Sequence, residues 1–486
     1  MSLNEQGVAT PWRMLVACAA WLAAAASLSP VVAQRTLGPA VRPFVRTSAP
    51  LIALTNVRVI DGTGAPARGA QTVLIRDGSI AWVGDAAAAA IPSDAERIDL
   101  AGRTVVPGFV MVHEHLFYPA GEGMYNELGY SFPRLYLAGG ATTIRTGGSM
   151  VPYADLNLKR WIDAGEIPGP RIHVTAPYLN GPGLPIPGVK ALRDAADARR
   201  MVEYWADEGA TSFKAYMHIT RDELRAAIEA AHARGLHVTG HLCSVTYAEA
   251  AALGIDNLEH GFLASTDFRP DKVPDECPRG ATGSSLLDVA PDDPRFTGLV
   301  RQLIDAGVAL TSTLPVFETL APGRPPASDA ALDAMAVEAR DQYLRQRARI
   351  AVDTSTARRR MLPHAMALEL AFARAGGLLV AGTDPTGYGG VVAGFANQRA
   401  VELLVEAGFT PVEAIRIATL NGATLLGVQA QVGTVEAGKA ADLVVVRGDP
   451  STRIADIRNV EIVFKDGVGY DSRKLIESVR GTVGVR

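Results

Sequence analysis

The sequence has few aromatic residues and no surplus of positive charge. Phe, Trp and Tyr make up 6% of the 486 residues, so extended aromatic surfaces for stacking bases are not expected. The 47 Lys and Arg residues face 51 Asp and Glu residues, which gives a net charge of −4. A generic nucleic-acid-binding protein is therefore excluded, because no basic surplus exists to neutralise phosphates. The 48% hydrophobic content excludes a disordered chain.

Cysteine is also scarce, with three residues in the whole chain. No CxxC motif occurs, which excludes a zinc ribbon. Cys18 lies in the N-terminal segment, so Cys243 and Cys277 are the two that a mature protein would keep. An oxidising compartment would permit a disulfide between them. The sequence leaves open whether they form this disulfide or stay as two unpaired thiols.

Residues 1–33 have the pattern of a secretion signal. Arg13 is the only basic residue before an apolar run over residues 14–28, and small residues precede a cleavage site at Gln34. A membrane anchor is the alternative, but the run is short for a span, which needs about 20 apolar residues. A lipoprotein box at Cys18 would have too little apolar chain before it. We expect an exported protein, periplasmic or secreted, with no stable membrane span after cleavage.

Short strands are predicted at both ends of the chain. They cover residues 51–60, 72–75, 80–83, 103–106, 433–435, 441–446 and 460–465. Neither end has enough strands for a stable sheet of its own. We therefore predict a small composite β-sandwich domain built from residues 34–105 and 426–486.

The stretch between them alternates strands with helices. Eight strand–helix units in residues 106–425 predict an α/β fold, a (β/α)8 TIM-like barrel. Its predicted strands are residues 105–113, 141–146, 171–177, 212–217, 236–242, 257–260, 308–314 and 378–384. Thr410 and Glu413 form a capping box at the start of the closing helix. Interruptions at 264–297 and 315–330 follow the sixth and seventh strands, and are either substrate lids or solvated insertions.

Six residues of metal-ligating type fall at the C-terminal ends of five predicted barrel strands. They are His113, His115, Lys214, His241, His260 and Asp384. His113 and His115 stand two apart, so both lie on one face of a strand while Glu114 points away. Each residue alone has an ordinary structural explanation, but all six together predict a metal centre. His237 is a rival to His241, because it lies on the same face of the fifth strand.

Lys214 is embedded in an apolar strand, where a bare cation is costly to bury. It is either an ion-paired or snorkelling lysine, or a neutral amine that has captured carbon dioxide. The resulting carbamate would be an anionic oxygen ligand that can bridge two metals.

Six segments together resemble motifs of the amidohydrolase superfamily. The first-strand signature corresponds to VPGFVMVHEH at 106–115, and the eighth-strand end corresponds to AGTD at 381–384. The C-terminal hallmark corresponds to ATLNGA at 418–423 and GTVEAGKAADL at 433–443. The segments LEHG at 258–261 and ATTIR at 141–145 are most similar to the imidazolonepropionase-related branch. That branch includes Xaa-Pro dipeptidases and ochratoxin-type amidases.

The resemblance implies a ligand set and a reaction. One divalent ion is held by His113, His115 and Asp384, a second by His241 and His260, with carbamylated Lys214 as the bridge. Zinc suits these ligands best, while manganese or cobalt would also fit. The implied reaction is hydrolysis of an amide bond in a dipeptide or N-acyl amino acid. A hydroxide held between the metals attacks, and Asp384 carries the proton to the leaving amine.

One position departs from the family pattern. Met111 stands where the family usually has Asp, on the first strand below His113. This departure leaves open what supports the metal ligands from behind.

Three further residues are candidates for binding the substrate. Tyr216 shares the inward face with Lys214 and could donate to an oxyanion or a substrate carboxylate, or could simply be a packed tyrosine. Arg145 ends the second strand, and His218 follows Tyr216 by two residues; either could bind a carboxylate or an amide. The expected partner is a small amide or dipeptide, and we also expect a homo-oligomer.

Three other functions compete. A cyclic-amide hydrolase of the imidazolonepropionase type would need no bridging Lys214, because its centre is mononuclear. A phosphotriesterase-like lactonase fits the His-Glu-His triplet at 113–115 but lacks a composite β-domain. A non-catalytic binding protein on the same scaffold would typically have lost metal ligands.

Overall fold

A computed structural model describes residues 37–121, 124–184, 186–279 and 286–485. The predicted signal at 1–33 lies outside these residues. The strands, in chain order, are β1 (Val45–Thr47), β2 (Leu51–Val59), β3 (Arg68–Arg76), β4 (Ser79–Asp85), β5 (Glu96–Asp99), β6 (Arg103–Pro107), β7 (Phe109–Glu114), β8 (Phe117–Gly121), β9 (Met124–Glu127), β10 (Ala141–Thr146), β11 (Arg171–His173), β12 (Ser212–Ala215), β13 (His237–Gly240), β14 (Asn257–Glu259), β15 (Ala309–Ser312), β16 (Leu379–Ala381), β17 (Leu443–Arg447), β18 (Val460–Lys465) and β19 (Val468–Asp471).

The helices surround and connect these strands. They are α1 (Phe132–Ala138), α2 (Pro152–Asp163), α3 (Ala195–Glu208), α4 (Arg221–His232), α5 (Tyr247–Leu253), α6 (Pro294–Asp305), α7 (Leu314–Leu320), α8 (Asp329–Ala334), α9 (Val337–Ala351), α10 (Thr356–Arg374), α11 (Phe395–Glu406), α12 (Pro411–Arg416), α13 (Gly422–Leu425) and α14 (Ser472–Glu477). Within the described ranges, no helix combines the length and the apolar character that crossing a bilayer requires.

Both chain ends contribute strands to one sheet. Its order is β1-β19-β18-β17-β6-β2-β3-β4, with β5 paired to β2. β17 from the C-terminal end runs antiparallel to β6 from the N-terminal end, with Leu443 opposite Pro107. Residues from both ends, such as Ile52, Val105 and Val445, pack in one apolar cluster. The two ends thus share a sheet and a core, while a second layer completing a sandwich stays a prediction.

Two predicted strands differ in the structure. The strand expected at 105–113 is divided, with β6 in the composite sheet and β7 among the parallel strands. Gly108 lies at the division, where an added Cβ would meet Thr142 Oγ1 at 2.1 Å. Residues 433–435 form a turn instead of a strand. Gly433 has a left-handed φ of 95°, and Val435 N donates to Asp61 O at 2.9 Å.

Eight parallel strands carry the middle of the chain. β11, β10 and β7 form one sheet, and β12 to β16 form a second in sequential order. At one join, Thr175 pairs in parallel with Ser212. At the other, the amides of Thr383 and Asp384 donate to His113 O, each at 3.1 Å. These contacts favour a closed eight-stranded barrel, which stays a prediction.

Helix boundaries follow local capping chemistry. α3 begins where the Asp194 side chain accepts from Asp197 N, and it ends at left-handed Gly209. The predicted capping box of Thr410 and Glu413 is present at the start of α12.

The two insertions pack against the ends of the parallel strands. Cys277, in the first insertion, is joined by a disulfide to Cys243, two residues after His241. The second insertion is more ordered than its proline content suggests. α7 starts directly after Thr313, so the first part of the predicted interruption at 315–330 lies within a helix. Pro at the second helical position is compatible with this start, since its missing N–H would be unsatisfied there anyway.

The disulfide generates a stability prediction. Cys277→Ser opens a cross-link between residues 34 apart in sequence, and loss of such a link costs about 2–4 kcal/mol of unfolding free energy. Urea unfolding of oxidised wild type and the variant measures the difference. Wild type in reducing agent and the double variant lacking both thiols should match the single variant. An unchanged unfolding free energy in Cys277→Ser would contradict a stabilising role.

Candidate metal centre

Asp384 is the point at which histidines from the ends of two strands meet. His115 Nε2 lies 3.1 Å from Asp384 Oδ1, and His113 Nε2 lies 3.6 Å from the same oxygen. His260 Nδ1 lies 3.8 Å from the other oxygen, Oδ2. All four side chains are buried. Nitrogen atoms from the β7 and β14 ends therefore converge on one carboxylate that follows β16.

The two remaining predicted ligands belong to the same cluster. The His241 ring centre lies 4.3 Å from that of His260. Lys214 Nζ is buried at 3.9 Å from Glu259 Oε1. The structure thus brings all six residues together. The rival His237 lies at the opposite, starting end of β13, where its exposed ring is 3.1 Å from Asp256 Oδ1.

Backbone strain turns two of these side chains toward the centre. His260 has φ 69° and Asp384 has φ 55°, both in the left-handed region that non-glycine residues seldom adopt. On a regular strand, His260 and Glu259 would point to opposite faces. The left-handed residue breaks this alternation directly after β14. Such strain typically persists where surrounding contacts hold it for a functional purpose.

Glycines leave room for the His113 side chain. A Cβ added to Gly382 would lie 2.4 Å from His113 Cβ, and one added to Gly147 would lie 2.5 Å from His113 Cδ2. Any larger residue at either position would displace the imidazole.

Glu259 lies behind the cluster and connects it to three strands. Its Oε2 is 2.7 Å from His113 Nδ1, and its Oε1 accepts from Arg145 Nη2 at 2.7 Å. Thr239 Oγ1 also donates to Oε1. With Nδ1–H directed to a carboxylate, His113 presents the lone pair of Nε2 to the centre. The sequence motif LEHG contains this residue, but the alternation of side chains along the strand does not indicate that it contacts His113.

This arrangement answers the question raised by Met111. The Met111 side chain is buried and apolar, so the first strand itself supplies no carboxylate. Glu259 from β14 supplies one instead, across the parallel strands. Burial alone would raise its pKa, but His113, Lys214 and Arg145 hold it well below the usual range. Glu259 is therefore an anion that orders both a predicted ligand and two cations.

The donor set fits divalent transition metals. Burial lowers the pKa of His241 to about 3 and that of His260 well below its usual value, which favours the neutral imidazole that binds metal. Burial would raise the pKa of Asp384, but His113 and His115 hold it well below normal, so the carboxylate is ionised. Ligand atoms of His113, His260 and Asp384 lie within 4.8 Å of one another. This trio draws members from both predicted ligand sets.

The three predicted substrate-binding residues occupy different places. Tyr216 lies at the cluster, with its ring centre 5.1 Å from His241. His218 lies farther out, where Nδ1 is 3.0 Å from Pro182 O. Arg145 is buried, and besides Glu259 it donates to Val112 O at 2.7 Å and Asn257 Oδ1 at 2.9 Å. In this structure the Arg145 guanidinium orders Glu259, and its predicted contact with substrate stays a prediction.

Aromatic side chains that the sequence did not predict as part of the site lie beside His115. The Phe117 ring stacks on His115 with centres 4.3 Å apart, and Tyr125 meets Phe117 at 5.1 Å. Both aromatic residues come from the β8–β9 hairpin, which follows directly after His115. On the other side, Tyr178 contacts Tyr216 at 4.7 Å. The sequence of this segment has no turn dipeptide such as Asn-Gly or Asp-Gly. Only the alternation of side chains along its two strands could therefore have indicated the hairpin.

The opposite side of β7 is closed by Glu114. Its carboxylate accepts from Thr383 Oγ1 at 2.5 Å and Asn397 Nδ2 at 2.9 Å. Burial raises its pKa to about 8. Glu114 thus points away from the cluster, as predicted, and ties β7 to the segment that carries Asp384.

One known protein family matches most of the chain. The profile of the amidohydrolase family matches residues 104–468. Imidazolonepropionase from Streptomyces avermitilis is 27% identical over 276 residues, which are 49% of this chain and 64% of that protein. A dihydroorotase from Anaeromyxobacter dehalogenans is 41% identical over 87 residues, or 18% of this chain and 19% of that protein. This chain therefore spans less than two thirds of these curated relatives.

Solved structures share the fold over nearly the whole described chain. A bottromycin amidohydrolase superposes with a TM-score of 0.67 at 22% identity, covering 90% of this chain and 91% of that one. A Xaa-Pro dipeptidase with bound methionine gives a TM-score of 0.65 at 20% identity, covering 87% and 100%. The predicted resemblance is thus confirmed for the family, and these structures show an amidohydrolase-type α/β fold.

Glu259 generates a prediction about metal retention. Glu259→Gln keeps the shape but removes the charge that orders His113, so metal affinity should fall about 10–100-fold. Competition with a chromogenic chelator measures the affinity without any need for activity. Glu114→Gln is the matched control, since Glu114 is equally buried but faces away from the centre, and it should retain metal. Equal losses in the two variants would show that Glu259 has no specific role.

Proposed function

Because the chain belongs to the amidohydrolase family, we propose that it is a metal-dependent hydrolase of the amide bond in a dipeptide or N-acyl amino acid. The observation that carries the proposal is the convergence of six ligand-type side chains at the C-terminal ends of parallel strands, around Asp384. In the proposed architecture these strands form a closed (β/α)8 barrel, where active sites lie at this end. A composite β-sandwich domain, export after cleavage near Gln34, and a homo-oligomer complete the proposal.

The ligand assignment follows the donor types. His113, His115 and Asp384 would hold one divalent ion, and His241 and His260 the other, with zinc as the favoured metal. When bound, the two ions supply Lewis-acid activation of water and of the substrate carbonyl.

Lys214 would bridge the ions as a carbamate. Burial lowers its pKa to about 8, so a sizeable fraction of the amine is neutral near physiological pH. The neutral nitrogen attacks carbon dioxide and loses a proton, which converts a cation into an anionic oxygen ligand. Its Nζ lies 3.9 Å from Glu259 Oε1, the carboxylate behind the cluster, which supports this assignment.

Asp384 would move the proton. Its carboxylate accepts one from the attacking water and then delivers it to the leaving nitrogen, which an unactivated amide requires. The Thr386 hydroxyl donates to Asp384 Oδ1 at 3.0 Å and keeps the carboxylate oriented. The buried, ionised state of Asp384 suits the first of these transfers.

Tyr216 is the best placed of the substrate-binding candidates. Its position against His241 would allow the phenol to donate to a developing oxyanion or to the substrate carboxylate. His218, held by the loop at 180–183, would bind a group farther from the scissile bond.

Cyclic-amide hydrolysis is the second candidate, favoured by the similarity to imidazolonepropionase. The burial of Lys214 within the cluster counts against it, since a mononuclear centre needs no bridge. The sheet shared by both chain ends likewise counts against a phosphotriesterase-like lactonase.

A metal-reconstituted activity screen tests the proposal. Protein purified without chelator should contain close to two transition-metal ions per chain, and should hydrolyse some members of a panel of dipeptides, including Xaa-Pro, and N-acyl amino acids. Chelation should abolish the activity and added zinc, manganese or cobalt should restore it. A single ion at full activity would contradict the binuclear centre. Turnover confined to cyclic amides or lactones would favour the competing functions.

Variants of Lys214 and Asp384 should separate metal binding from proton transfer. Lys214→Ala and Lys214→Arg should lose metal and activity together, because neither can form a carbamate. A short carboxylic acid should partly restore Lys214→Ala by filling the bridge. Asp384→Asn should lose turnover by about two orders of magnitude or more while keeping much of its metal. Wild-type turnover and metal content in Lys214→Arg would contradict the carbamate.

A further inference from the structure

Within the described part of the chain, three buried polar atoms near His115 have no hydrogen-bond partner outside their own cluster, in which the Ser149 hydroxyl bonds to Asp155. They are Glu127 Oε2, Ser149 Oγ and Asp155 Oδ1. Asp155 is 1% exposed and lies on the inner face of α2, while Glu127, at the end of β9, is half-buried. Leaving several buried polar atoms unpaired is costly, and such groups call for an explanation.

This acidic cluster, defined as Glu127, Ser149 and Asp155, adjoins the candidate metal centre. Glu127 pairs across the hairpin with Phe117, so the two side chains share a face, and Phe117 stacks on His115. Gly148 O lies 3.3 Å from His115 Nδ1, and Ser149 is the next residue.

The charges of both the acidic cluster and the candidate metal centre act on the phenol of Tyr178. Burial raises the pKa of its phenol well above normal, and both Asp384 and Asp155 act in the same direction. The phenol therefore lies within electrostatic reach of the proton-transferring carboxylate on one side and of the cluster on the other.

The two carboxyl groups repel each other and lack a cation. Burial raises the pKa of Asp155 to about 7 and that of Glu127 to about 8, and Asp155 adds to the shift at Glu127. Among the described residues, neither has a Lys or Arg ion-pair partner. A cation placed between them would restore both charges and use the unpaired oxygens.

We propose that Asp155 and Glu127 form a subsite for an ammonium group of the substrate. The ammonium has three N–H donors, and the cluster offers as acceptors the carboxylate oxygens of Asp155 and Glu127 and the Ser149 hydroxyl, which have no partner outside the cluster among the described residues. This inference rests on the proposed amide hydrolysis and narrows it to substrates with a free amine, such as unblocked dipeptides. N-acylated counterparts would lack the positive charge and leave the carboxyl groups unpaired.

Paired substrates test the subsite by activity. Wild type should hydrolyse a dipeptide at least tenfold more efficiently, as kcat/KM, than its N-acetylated form, since a charged hydrogen bond is worth at least about tenfold in binding. Asp155→Asn and Glu127→Gln should each remove most of that preference by lowering kcat/KM for the unblocked dipeptide. Asp163→Asn, the same change on the same helix at a residue paired with Lys159, should leave it unchanged.

A binding measurement separates this proposal from the proposed function. Hexylamine should raise the melting temperature of wild type more than hexanol does, and Asp155→Asn should abolish the difference. If neither dipeptides nor N-acyl amino acids are hydrolysed but this dependence on Asp155 is seen, the subsite stands and the proposed function fails. If dipeptides are hydrolysed and both variants keep the wild-type preference, the subsite is wrong, and the two carboxyl groups merely share a proton or a water.

Discussion

The buried carboxylate of Glu259 is the interaction on which the candidate centre depends. It contacts His113 from β7, Arg145 from β10, Lys214 from β12 and Thr239 from β13, while belonging to β14 itself. An isolated anion at such a depth would be expensive, but two cations and two hydrogen-bond donors compensate it. One side chain therefore fixes the mutual positions of side chains from four other strands. The same anion sets the tautomer that leaves His113 Nε2 available.

Backbone geometry complements this polar contact. Left-handed residues directly after β14 and shortly after β16 turn His260 and Asp384 toward the centre. Glycine at 382 and 147 lets the chain pass close to His113. The amides of Thr383 and Asp384 also bind His113 O, so the first and last parallel strands are joined at the point where their ligand-type residues meet. The strained backbone at Asp384 is thus held in place by the hydrogen bond from its own amide to His113 O.

The positions of the six ligand-type residues follow from the sequence because of one simple rule. Side chains at the carboxyl ends of parallel strands meet at the same edge, so spacing along the chain suffices once the strands are recognised. The supporting contacts do not follow in this way. Glu259 acts through partners 20 to 146 residues away, as its separations from Thr239 and His113 show, and no local pattern encodes such a match. Likewise, the position of Arg145 at the end of a strand predicts a substrate contact, which stays a prediction, but it does not indicate that the guanidinium donates to Glu259.

The charge balance of the centre gives a physical reason for a carbamate at Lys214. Lys214 and Arg145 as cations would balance Glu259 and Asp384 as anions, so the buried set would be neutral and would attract no divalent ions. Conversion of the lysine to a carbamate removes one positive charge and adds one negative charge, which leaves three anions against one cation. In the proposed centre this negative charge would favour two divalent ions, and those ions would in turn stabilise the carbamate. Capture of carbon dioxide and metal binding would therefore be coupled, because each supplies the charge that makes the other favourable.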